Sequence, residues 1–284
     1  MKTSFLAVIA ATIAAAPALA APVAETDFLN FTYQAGQEKV TVTNGEFSRD
    51  DPSNRLFFKV LNVRRGDLNG DGVPEALVLT AENGGGSGYF TDGYLYTDGQ
   101  SGPSLVATLG IGDRADGGIF DARIVGGKLV EERFGQVDTG ACCPTQIVTT
   151  ALAWRSGKLG QVGKTTKRAY IYSGSGTGSR PAELKFLPGT TTGTVEGDGF
   201  RRERVVFKAS KGQLATIAVR RPEAPRLQTR VTLTIGTRRL AVIASGSNRS
   251  VRLPATGTYS VRFANVGGNR KSDDATGTAD ITIR

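Results

Sequence analysis

The side chains best suited to chemistry in this sequence lie in one short loop. Asp67, Asn69 and Asp71 alternate with Leu68 and Gly70, Gly72 takes the sixth position, and Glu75 closes the loop at the ninth. Oxygen side chains at alternate positions, with glycine at the turn, let a few residues wrap a hard cation such as Ca2+. The same pattern also makes an Asx-rich turn that bonds to its own backbone without metal. The rest of the inventory narrows the chemistry. There is no histidine, which removes Ser-His-Asp and Cys-His pairs and every histidine metal site. Glu131 and Glu132 are adjacent, so on a strand they point to opposite faces and make a poor pair for glycoside hydrolysis. Cys142 and Cys143 are the only cysteines. As neighbours they form a vicinal disulfide, bond another molecule or remain thiols. A disulfide making a rigid turn before Pro144 is the favoured expectation, since there is no CxxC redox spacing. The expectation is a binding protein, not an enzyme.

Charge and export signals say where such binding would occur. Lys2 precedes an apolar run over residues 5–16, and Ala18 and Ala20 give the small-x-small pattern of a signal peptide cleaved after Ala20. No later segment approaches the ~20 apolar residues of a membrane helix. The expected compartment is a Gram-negative periplasm, with no integral membrane segment. Residues 1–150 carry 11 Lys+Arg against 18 Asp+Glu, and residues 151–284 carry 24 against 8. That jump from −7 to +16 marks a boundary, and the charge either directs the second half toward acidic surfaces or serves solubility alone. An exported chain rarely meets nucleic acid, so acidic clefts or anionic envelope polymers are the expected partners, and no nucleic acid.

The elements that must position these residues are strands. The fold class read from the sequence is mainly β: an N-terminal mainly-β domain over residues 25–168 bearing the Asp/Asn/Gly loop, a Gly/Ser linker over 169–181, and a jelly-roll-type β-sandwich over 182–284. In the first domain, residues 40–42 end at Asn44 and Gly45, a hairpin-turn signal. Apolar runs follow at 56–63 and 76–80, and an aromatic alternation at 89–96. Hairpins are expected around Gly126-Gly127 and Ser156-Gly157. In the second domain eight strands are expected, at 184–187, 204–209, 215–219, 231–235, 240–244, 251–253, 259–263 and 279–283. Several alternate cleanly: Val205 with Phe207, Val231 with Leu233 and Ile235, and Tyr259 with Val261 and Phe263. One apolar face per strand calls for two sheets packed face to face.

The loop at 67–75 resembles the calcium loops of FG-GAP repeats in integrin-type propellers, which also run straight into a strand, here Ala76-Leu77-Val78-Leu79. By that resemblance Asp67, Asn69, Asp71 and Glu75 would be side-chain ligands, and Val73 a carbonyl ligand, of a structural Ca2+. The wider stretch 50–160 resembles a family of uncharacterised exported bacterial proteins. The resembling residues are 66–72, the glycine-rich 84–88 before an aromatic strand, and 142–146. No activity comes with it.

The second domain carries three further motifs. They are the opening stretch 184–197, the strand and Lys-Gly-Gln turn over 204–213, and 253–262, where Ala255-Thr256-Gly257-Thr258-Tyr259 leads into the closing strands. Together they resemble the inhibitors of g-type lysozyme, and the broader pre-peptidase C-terminal domains that share the sandwich. In the inhibitor family an Asn/Arg-rich loop before the last strand sends an arginine into the lysozyme cleft. Arg270 matches that position, with Lys271 beside it, and a guanidinium fork suits a carboxylate there. The family's second contact is a tyrosine near the second strand. This sequence has none there, and Phe200 or Arg202 stands in its place. The resemblance implies a periplasmic binding protein that inhibits g-type lysozyme. The alternative is a module that binds envelope glycan or lipopolysaccharide through its Arg/Lys face, with no enzyme target.

Overall fold

A computed structural model describes residues 21–36, 38–86, 88–135, 144–173, 181–198, 204–220, 228–266 and 276–284. All of its regular elements are strands. In the first half, β1 (Thr32–Ala35) and β2 (Glu38–Thr41) form a hairpin. They lie over a five-stranded antiparallel meander of β3 (Glu46–Arg49), β4 (Leu56–Gly66), β5 (Glu75–Asn83), β6 (Phe90–Gly99) and β7 (Gly102–Thr108). β5 is the middle strand and is buried on both sides, which is why it reads as an apolar run instead of an alternation. Ala76 and Val78 meet Val23, Phe28, Tyr33 and Val40 on one face. Leu77 and Leu79 meet Leu129, Ile119 and Ala122 of a second sheet on the other.

Asn44 and Gly45 have positive φ of 53° and 82°, as the expected turn requires. Pairing stops after a single bridge between Thr43 and Glu46. The chain then passes from the small hairpin into the meander, so this is a crossing between sheets and not the tip of a long hairpin. The other two expected hairpins are present. β8 (Ile119–Val125) and β9 (Lys128–Phe134) turn at Gly126-Gly127, and β10 (Gln146–Arg155) and β11 (Lys158–Tyr172) turn at Ser156-Gly157.

The remaining strands are β12 (Ala182–Glu183), β13 (Thr192–Asp198), β14 (Arg204–Ala209), β15 (Leu214–Val219), β16 (Gln228–Ile235), β17 (Arg238–Ala244), β18 (Asn248–Arg252), β19 (Gly257–Val266) and β20 (Thr276–Ile283). From β13 to β20 the sheet orders are β18-β15-β20-β13 and β14-β19-β16-β17. Counted along the chain these are 6-3-8-1 facing 2-7-4-5, with every neighbouring pair antiparallel: a jelly roll. Its core holds Val205, Phe207, Ile217, Val231, Leu233, Tyr259, Val261, Phe263 and Ile281.

Three details depart from the sequence reading. The strand expected at 184–187 is only the two-residue β12, immediately before it. β13 was not expected, because its inward positions are Gly193, Val195 and Gly197. Gly197 pairs with Gly277 of β20; a Cβ on Gly197 would run into the Phe263 ring, and one on Gly277 into Thr229. Residues 169–172, assigned to the linker, are the end of β11. Ala169 and Tyr170 are buried, and this end pairs in parallel with β13. The alternating apolar and β-branched residues there continue the strand; the Gly/Ser-rich part, residues 174–180, lies outside the described residues. One eight-stranded sheet therefore runs through both halves, in the order β18-β15-β20-β13-β11-β10-β9-β8.

Candidate functional site

Jelly-roll connectivity gathers alternate loops at one end of the sandwich. The connections after β13, β15, β17 and β19 all leave the same end. Of these, the turn 245–247 is described: Ser245 N–H donates to Thr229 O, and Gly246 and Ser247 pair with Val219. Residues 199–203, 221–227 and 267–275 lie outside the described residues. So do Phe200, Arg202, Arg270 and Lys271, and with them Cys142 and Cys143. The strands that carry the first and last of these segments are neighbours. Asp198 pairs with Thr276 in one sheet; in the other Arg204 pairs with Arg262, four residues before β19 ends at Val266 beside Gln228. Residues 199–203 and 267–275 thus each connect the β13–β20 pair to the β14–β19 pair.

The acidic loop is described in full. Asp67 Oδ1 accepts from Gly70 N–H at 2.6 Å and Oδ2 from Gly72 N–H at 3.0 Å. Asn69 Oδ1 accepts from Asp71 N–H at 2.8 Å, and Asp71 Oδ1 from Val73 N–H at 2.7 Å. Glu75, buried at the start of β5, accepts from Leu68 N–H at 2.7 Å. Leu68 in turn plugs the core between the two sheets. Gly70 and Gly72 both have φ of +84°, a conformation that suits glycine. Asn69 Nδ2 donates to Asp71 Oδ2 at 2.9 Å and to Glu75 Oε1 at 2.8 Å. The loop therefore brings Asn69, Asp71 and Glu75 together around one amide group. It turns Asp67 onto the backbone, while the Val73 side chain is exposed. All the expected ligands are oxygens of the kind a hard cation takes, yet the side-chain oxygens of Asp67, Asn69, Asp71 and Glu75 are already matched inside the loop. Among the described residues, no set of three or more His, Cys, Asp or Glu gathers closely enough to hold a metal ion.

The densest constellation was not expected. It lies on the outer face of the long sheet, where the halves meet. The Glu132 side chain is 4% exposed and takes Arg168 Nη2 at 2.8 Å and Arg220 Nη1 at 2.9 Å. Arg220 also reaches Asp280 at 3.0 Å and Asp121 at 3.2 Å. Arg168 Nε donates to Thr194 Oγ1, which donates to Asp280 Oδ1, both at 2.6 Å. Arg64 closes on Asp121 at 2.6 Å. Burial pushes the Glu132 carboxyl up, but Arg220 and Arg168 outweigh it and hold it at about 2. Beside this network Glu196 accepts from Tyr170 Oη at 2.7 Å and pairs with Arg114 at 2.6 Å. Arg114 lies over Phe134 and Tyr172. The expectation that Glu131 and Glu132 face opposite ways holds: Glu131 pairs with Arg133 at 2.7 Å. A carboxylate held near 2 stays ionised at ordinary pH, so Glu132 is an anchor for arginines and not a proton donor. No sequence signal gathers these residues, because Asp121 and Arg220 stand 99 positions apart.

No family model matches the sequence, and no curated protein does. Among solved structures, PliG of Aeromonas hydrophila, a periplasmic inhibitor of g-type lysozyme, matches at 14% identity and a TM-score of 0.28. That alignment covers 36% of this chain and 95% of that one. Salmonella Typhimurium PliG matches at 16% identity and 0.27, over 36% of this chain and 96% of its own. An exo-β-1,3-galactanase from Phanerochaete chrysosporium aligns at 8% identity and 0.19, over 84% of this chain and 80% of its own. TM-scores this low carry no argument about activity, which has to be made from the residues.

Proposed function

We propose that this chain is an exported, periplasmic binding protein that inhibits g-type lysozyme through the loop end of its jelly roll. The observation that supports the reading is connectivity: the segments 199–203 and 267–275, which hold Phe200, Arg202, Arg270 and Lys271, both link the neighbouring strand pairs β13–β20 and β14–β19. On this reading two contacts far apart in sequence act at one end of the sandwich, which is what an inhibitor filling a cleft requires. Arg270 pairs with a carboxylate of the cleft, and Phe200 or Arg202 supplies the second contact. Six Lys+Arg and four Asp+Glu fall within 199–203, 221–227 and 267–275. The loop end is thus close to neutral, so a basic lysozyme meets little repulsion there.

The test is lysis of a peptidoglycan suspension by a g-type lysozyme, with and without residues 21–284, and with a c-type lysozyme alongside. Stoichiometric inhibition of the g-type enzyme alone, lost in Arg270→Ala, is the expected result. Lysis that proceeds unchanged would remove the reading. On the acidic loop, the same proposal includes a structural Ca2+ held by Asp67, Asn69, Asp71, Glu75 and the Val73 carbonyl, with no part in inhibition.

A further inference from the structure

The surplus of positive charge in the second half lies mostly outside the loop end. On the outer face of the β14-β19-β16-β17 sheet, Arg204, Arg262 and Arg230 are exposed on three adjacent strands. Arg204 and Arg262 are direct cross-strand partners. Arg262 pairs with Thr232, two residues from Arg230 on the same face. Their Cβ atoms are therefore roughly 5 Å apart for the direct pair and about 7 Å for the diagonal one. Among the described residues no carboxylate pairs with any of the three. Glu183 is the one described acid on this face; it lies beside Val206, two residues along β14 from Arg204, and turns to Lys208 at 3.7 Å.

Like charges set directly opposite each other on a sheet are destabilising. Nor are Arg230 and Arg262 guarding an exposed sheet edge, the usual structural use of such charge. β19 and β16 are interior strands, with neighbours on both sides. Between the guanidinium groups the surface is lined by Thr232, Thr234, Ser260, Ala264 and Ala244, all short. Of the exposed large apolar residues only Val242 lies on these strands' outer face, which leaves little to enter a bilayer.

We propose that this face binds a glycan carrying sulfate or phosphate esters, gripped by the guanidinium forks of Arg204, Arg230 and Arg262 with Thr232 and Ser260 hydroxyls between them. Planar forks match tetrahedral oxyanions bidentately, and a flat sheet of short side chains admits an extended polymer. This locates the envelope-polymer role that the charge of the second half implied. It is independent of lysozyme inhibition, which belongs to the loop end.

The probe is a fluorescent heparin oligosaccharide, with a hyaluronate oligosaccharide and phosphatidylglycerol vesicles as parallel arms, each titrated with residues 21–284 at low and physiological salt. Heparin is expected to bind, more weakly as salt rises, and better than hyaluronate or vesicles. Arg204→Gln, Arg230→Gln and Arg262→Gln combined should weaken heparin binding roughly tenfold or more. The melting temperature of that variant should be unchanged or raised, since a repulsion is relieved. Lys158→Gln, Lys164→Gln and Lys167→Gln combined make the same change of charge on β11, away from that sheet, and should cost at most about twofold. Equal losses in the two variants would mean diffuse attraction and overturn the proposal. So would no heparin binding, or equal or tighter binding of hyaluronate or vesicles. Lysozyme plays no part in this measurement, so failure of the inhibitor reading leaves its result intact.

Discussion

Glu132→Gln tests whether the two halves are held together by charge. The substitution keeps the shape of the side chain and removes its charge, leaving Arg168 and Arg220 with one fewer partner. The native carboxyl is held at about 2 from an ordinary 4.5. At roughly 1.4 kcal/mol for each tenfold change in affinity for the proton, that fall corresponds to about 3 kcal/mol of folding stability at pH 7. Removing one member of a buried pair costs a similar ~3–5 kcal/mol. The sign of the pH dependence follows from the direction of the shift. A carboxyl with a depressed folded pKa contributes in full above its unfolded value and loses that contribution as pH falls from 4.5 toward 2. Urea unfolding of both proteins should therefore show a gap of about 3 kcal/mol at pH 7 that closes toward ~pH 2. In a thermal scan at neutral pH the gap is worth about 5–10 °C. A gap that stays constant across this range would mean that the loss is one of packing. A gap below about 1 kcal/mol at pH 7 would mean that the network holds nothing that water does not replace.

Two further outcomes follow from the packing and the loop. Gly197→Ala puts a methyl group where the Phe263 ring lies, with Gly277 opposite, so Phe263 must leave its rotamer or the sheets must part. The expected loss is about 1–3 kcal/mol in chemical denaturation, and a neutral result would show that the sheets yield there. If the loop at 67–75 holds a structural ion, Ca2+ should raise the melting temperature of the whole protein and EDTA should reverse the rise. Asp71→Ala should abolish the response, and a wild-type melting curve indifferent to Ca2+ leaves the loop as a turn closed by its own side chains.

What could be read in the sequence was what repeats locally. The jelly roll was legible because each strand buries one face, so that Val231 with Leu233, and Tyr259 with Val261 and Phe263, declare their period. β5 was legible for the opposite reason, being buried on both faces. β13 was not, since glycine at 193 and 197 makes room for Leu184 and Phe263 and erases the apolar signal. The Asp/Asn/Gly loop was visible as a turn. Its sequence could not separate metal ligands from turn-closing acceptors, because the same oxygens do both. The junction was invisible: Asp121, Glu132, Arg168, Arg220 and Asp280 each look like an ordinary charge on a strand.

That junction also changes the meaning of the uneven charge. The second half has only eight carboxylates. Glu196 and Asp280 are turned toward the junction, where Arg114 and Arg220 take them up, and Glu183 faces Lys208. Asp198, Glu203, Glu223, Asp273 and Asp274 fall at the strand ends or in the segments of the loop end. Of the basic residues that remain, Arg204, Arg230 and Arg262 share one outer face, while Arg155, Lys158, Lys164, Lys167, Arg238, Arg239, Arg249 and Arg252 are exposed elsewhere along the strands. The charge is complementary at the junction and near balance in the composition of the loop segments, and what sets Arg204, Arg230 and Arg262 apart from the other exposed cations is that cross-strand pairing brings them together on adjacent strands. On the two proposals, one sheet system would carry two different binding surfaces, one shaped by loops and one by charge.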